Sequence, residues 1–75
     1  MSPINLSAAA RGTRGHVASL GTNNRHKLQK LLTMGILPGA SLEVIQRFPA
    51  YVLGIGHTQV AIDDELARDI YFYPA

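Results

Sequence analysis

Between Asn24 and Gly35 the apolar residues Leu28, Leu31 and Leu32 recur at i, i+3 and i+4, with Gly35 at i+7, which is the spacing of one helix face. Asn23 or Asn24 supplies an N-cap, Gly35 stands where a left-handed residue ends a helix, and Pro38 follows as a stop signal. The pattern predicts a single helix of about three turns. Around it the period changes. Thr13 to Leu20 reads as a first strand bent at Gly15, preceded by the isolated apolar anchors Ile4 and Leu6 and by a short turn of helix over 7–10. After the Pro38-Gly39 turn, Leu42 and Val44 alternate in a strand over 41–48, and Ile45 breaks the alternation, which predicts a bulge near Ile45 and Gln46. Tyr51, Leu53 and Ile55 share one face of the next strand, and Gly56-His57-Thr58 forms a tight turn into a strand over 59–62. Asp63, Asp64 and Glu65 open a single helical turn ending at Arg68, and a last strand over 70–73 sets Ile70 and Phe72 against Tyr71 and Tyr73 on its two faces.

This order of short strands and tight turns indicates a mainly β fold, a small barrel or sandwich with one helix after the first strand and a helical turn before the last. At 75 residues the chain supports one core, so residues 1–75 are expected to form a single domain. With no cysteine there is neither disulfide nor thiolate-bound metal, and packing must carry the fold. The N-terminal residues lack a basic leader followed by an apolar stretch, and no apolar run approaches a membrane span. The expected location is the cytoplasm.

Composition narrows the chemistry. There is no nucleophile elbow and no glycine-rich loop followed by Lys-Ser/Thr, so no catalytic residues are assigned and the chain is read as a non-enzyme. His16, His26 and His57 lie in different elements without a second ligand at metal-binding spacing, and no metal or cofactor is expected on them. The acids at 63–65 read as partners of a helix dipole before they read as cation ligands. The net charge of +2 is mildly basic. Arg25, His26, Lys27 and Lys30 form the densest basic group, with His26, Lys27 and Lys30 on the helix face away from the leucines. That face is either simply solvated or a docking face for an acidic partner or lipid headgroups. Tyr71 and Tyr73, and Phe48 and Tyr51 beside the short Pro49-Ala50 connection, are surface aromatics or interface anchors.

The block Leu28-Gln-Lys-Leu-Leu-Thr-Met-Gly-Ile-Leu-Pro-Gly-Ala-Ser-Leu-Glu-Val resembles the core of the FeoA family around Leu28, Leu31, Leu32, Gly35, Pro38 and Gly39. Gly12-x-x-Gly15-x-Val17 resembles that family's glycine-marked first strand, and Val60-Ala-Ile62 with Glu65, Ala67 and Ile70 resembles its ending. Departures lie at Asp63, where a basic residue is common, and in the short Pro49-Ala50 connection. The resemblance implies an SH3-like β-barrel and a small cytosolic accessory protein of bacterial ferrous iron uptake. It would dock on the FeoB membrane GTPase permease and modulate its activity, approach the membrane only through that partner, and leave iron itself to the pathway. Partner contacts are expected at Arg25, Lys27, Lys30, Tyr71 and Tyr73, with self-association open. The alternative is a small nucleic-acid-binding β-barrel, which the glycine-marked strand and high pI suit; its aromatics are not interleaved with Lys and Arg, so no nucleic acid is expected. A third reading, after the C-terminal modules of metal-dependent repressors, has the barrel acting in trans.

Overall fold

The computed structural model describes residues 2–75. Its elements are β1 (Ile4–Asn5), a 3-10 turn (Leu6–Ala8), β2 (Arg14–Leu20), α1 (Arg25–Thr33), β3 (Ser41–Gln46), β4 (Tyr51–Ile55), β5 (Thr58–Ile62), α2 (Asp64–Ala67) and β6 (Ile70–Pro74). The strands form one antiparallel sheet in the order β1-β6-β2-β3-β4-β5. The two-residue β1 was not foreseen, because an isolated Ile4 has no periodicity; it exists through pairing with Phe72 and Tyr71 at the other end of the chain.

Two bulges bend the sheet into an SH3-like barrel. One falls between Val17 and Ser19 in β2; the other, between Val44 and Gln46 in β3, lies where Ile45 breaks the alternation. Leu6, Val17, Leu31, Ile36, Leu42, Val44, Leu53, Ile55, Ile70 and Phe72 meet in one buried cluster. Gly15 permits a close approach between β2 and β6, since a Cβ there would collide with the Tyr73 carbonyl.

α1 starts where the side chain of Asn24 accepts from the Lys27 amide at 3.1 Å. It ends in a Schellman motif: Gly35, at φ +82°, donates to the Leu32 carbonyl and Ile36 donates to the Leu31 carbonyl, both at 3.0 Å. Leu31 and Ile36, the apolar pair that accompanies this motif, are both fully buried. The orientation of the helix differs from the leucine pattern. Lys27 and Leu31, one turn apart, face the barrel, Leu28 lies half-buried at the flank, and Leu32 is 40% exposed. Leu37, which follows the buried Ile36, is also exposed.

Candidate docking surface

α2 begins at Asp63, whose side chain accepts from the Leu66 amide at 2.8 Å. A short side-chain acceptor is what an N-cap position requires, and Asp63 supplies one with a charge that suits the helix N-terminus. The cap turns Glu65 toward α1, where it meets the Lys27 ammonium at 2.9 Å, and Asp69 beyond α2 approaches the same ammonium at 3.5 Å. Asp69 Oδ2 is shut off from solvent and makes no hydrogen bond, so Lys27 is its neutralising charge. The hydrogen bond that Lys27 donates to Glu65, opposed by partial burial and aided by the Asp69 charge, raises the Lys27 pKa above its ordinary 10.5. Lys27, expected on the outer face of α1, is therefore a clamp between α1 and the α2–β6 segment.

The other acids are similarly engaged. Asp64 pairs with Arg68 at 2.8 Å and Glu43 with Arg14 at 3.6 Å. Among the described residues this leaves Arg11, Arg25, Lys30 and Arg47 as the basic side chains without a carboxylate partner. They divide into two places. Arg25 and Lys30 stand exposed on α1, the helix that also carries the exposed Leu32. Arg11 and Arg47 line a hollow of about 500 Å³ with Ile45, Gln46 and Phe48 at the β3–β4 turn.

Phe48 at that turn is 86% exposed, the most exposed large apolar side chain among the described residues. Arg47 is held beside it by donating from Nη2 to the Ser7 carbonyl at 2.8 Å. A projecting ring beside cationic groups has the chemistry to enter an apolar pocket rimmed by carboxylates. Tyr51, on the other side of Pro49-Ala50, points inward and is buried, its hydroxyl 3.5 Å from Asp64. Tyr71 is half-buried with its ring over Gly21, where a Cβ would come within 2.7 Å of it. Tyr73 is exposed on the same face, paired with His16 across β2.

The structure thus separates the residues picked out from the sequence. Arg25, Lys30 and Tyr73 are open to solvent, Lys27 is committed to an internal ion pair, and Tyr71 lies against a glycine. Arg11 and Arg47 were missed. Nothing local marks them, because they are distinguished only by having no acid nearby once the chain is folded. The three histidines stand on β2, on α1 and in the β4–β5 turn. No group of three or more His, Cys, Asp or Glu suited to a metal ion occurs among the described residues. No helix among them is long and apolar enough to cross a membrane.

The model of the FeoA domain matches residues 4–74. A crystal structure of an iron uptake regulatory protein, FeoA, is 25% identical and superposes with a TM-score of 0.88, covering 100% of both chains. A manganese-dependent transcriptional repressor is 22% identical with a TM-score of 0.90; 97% of this chain spans 42% of the repressor. FeoA from Stenotrophomonas maltophilia, in complex with zinc, is 18% identical with a TM-score of 0.80, over 93% of this chain and 89% of that one. No curated protein sequence matches the chain.

Proposed function

This chain belongs to the FeoA family, and from that premise we propose that it is a small accessory protein of ferrous iron transport that docks on the cytosolic side of a FeoB-type permease and modulates it. The observation that carries the proposal is the tip at the β3–β4 turn, where Phe48 projects beside Arg11 and Arg47. Large exposed aromatics are costly to leave in water and are enriched among interface anchors, and unpaired arginines favour an acidic rim on the partner. Arg25 and Lys30, with Leu32, form a second contact in this reading, and Tyr73 a third.

Magnitude favours a protein over a bare lipid surface. A single myristoyl chain gives only marginal membrane binding, and one phenyl ring buries less apolar area than that. A ring of this size inside a fitted pocket is a sufficient anchor for a protein interface.

Co-purification tests the proposal. Tagged permease in detergent retains the wild-type chain and loses it with Phe48→Ser combined with Arg47→Glu. Failure to retain the wild-type chain in the apo, GDP-bound and GTP-bound states would refute it.

A further inference from the structure

Proteins blunt the free edges of a sheet with short strands, proline, charge or a bulge, because an edge presents unpaired amides and carbonyls to any other strand. The two edges of this sheet differ in that respect. β1 has only two residues and follows Pro3. β5, at the other edge, runs Thr58-Gln-Val-Ala-Ile62 with neither charge nor proline, and its register against β4 is unbroken over all five residues. Thr58, Gln59 and Ala61 are exposed.

The turn before β5 decides which groups are free. Gly56 has φ +61° and His57 has no left-handed angle, the glycine-first pattern of a two-residue type II′ hairpin. In such a hairpin the flanking pair, Ile55 and Thr58, is hydrogen-bonded, and alternation makes Leu53–Val60 and Tyr51–Ile62 hydrogen-bonded as well. The amides and carbonyls of Gln59 and Ala61 accordingly point away from β4.

We propose that β5 is a self-pairing edge, occupied by β5 of a second copy lying antiparallel about a two-fold axis through Val60. In that register Gln59 opposes Ala61 of the partner subunit, and Ala61 opposes Gln59 of the partner subunit. Each pair exchanges both of its main-chain hydrogen bonds. The half-buried Val60 meets Val60 of the partner subunit across the narrow pair between them, extending the apolar inner row. His57 falls opposite Asp63 of the partner subunit at each end, which sets an imidazole beside a carboxylate twice. This complementarity arises from one sequence read in both directions, and it selects a second copy over an unrelated strand. The interface is small, so the dimer is weak, with monomer at low micromolar and dimer at millimolar concentration. Pairing two copies would also present two Phe48 tips to a partner and raise avidity without a new contact. The inference stands apart from the permease reading, since it concerns the chain alone.

Sedimentation equilibrium of the full chain, with a dilution series of amide spectra, tests it. The mass rises toward that of a dimer with concentration, and the Gln59 and Ala61 amides shift in step. The double substitution Q59K/A61K opposes like charges at both pairs and weakens dimerisation roughly tenfold, whereas Q59K/A61E opposes unlike charges and strengthens it by a similar factor. Both side chains are exposed, so each variant keeps its fold, and unchanged thermal unfolding of the dilute monomer verifies this. A chain that stays monomeric at millimolar concentration overturns the proposal. So does a dimer that both double substitutions leave unchanged, or edge amides that respond only to an added partner protein.

Discussion

A methyl group on Gly15 would run into the Tyr73 carbonyl across the β2–β6 pairing. Gly15→Ala is therefore expected to lower stability by about 1–3 kcal/mol in urea unfolding, as overpacking does. Phe48→Ser should leave stability within about 0.5 kcal/mol of wild type, since the ring touches solvent and little else. The same substitution should weaken permease binding at least about tenfold if the ring is an anchor, which calorimetry or retention on the permease measures. Lys27 carries a signed pH dependence. Its folded-state pKa is raised, so its ion pairs stabilise fully below the unfolded value of 10.5 and fade as pH rises through the higher folded value. Chemical unfolding at increasing pH should show the difference between wild type and Lys27→Met constant from neutral pH up to 10.5 and shrinking above it. In a double-mutant cycle, Lys27 with Asp69 should couple measurably, while the exposed Arg14–Glu43 pair at 3.6 Å should couple little.

At the scale of elements, α1 separates what periodicity encodes from what it does not. The caps were readable: Asn24 and Gly35 sit where local backbone chemistry demands a side-chain acceptor and a positive φ, and both perform those roles. The helix rotation was not readable. Leu28, Leu31 and Leu32 span a broad arc, and the inward face is completed by Lys27, whose partners Glu65 and Asp69 lie in a distant part of the chain. A lysine counts as polar in any pattern until its carboxylates are placed beside it. The consequence is measurable in equilibrium unfolding: Leu31→Ala should cost about 2–5 kcal/mol, as expected for a fully buried leucine. Leu32→Ala should cost under about 1 kcal/mol. The β3 bulge was legible because Ile45 breaks a two-residue period, whereas β1 was not, because two residues carry no period.

For the whole molecule, the family block divides: Leu31 is core, Gly35 and Gly39 hold left-handed turns, and Leu32 is exposed. A surface assembled by elimination is different. Arg11, Arg25, Lys30 and Arg47 stand out only after every acid has found its partner or cap, a bookkeeping that depends on contacts between distant residues. Phe48 was visible in the chain as one of two aromatics beside a short connection, and folding distinguished them by burying Tyr51 and leaving Phe48 in solvent. The permease claim is tested most directly by amide chemical-shift mapping of the labelled chain against the cytosolic domain of a FeoB-type permease. Saturable shifts are expected at Arg47, Phe48 and Arg11, with weaker ones at Arg25 and Lys30. An unchanged spectrum at excess permease domain in the apo, GDP-bound and GTP-bound states would contradict it.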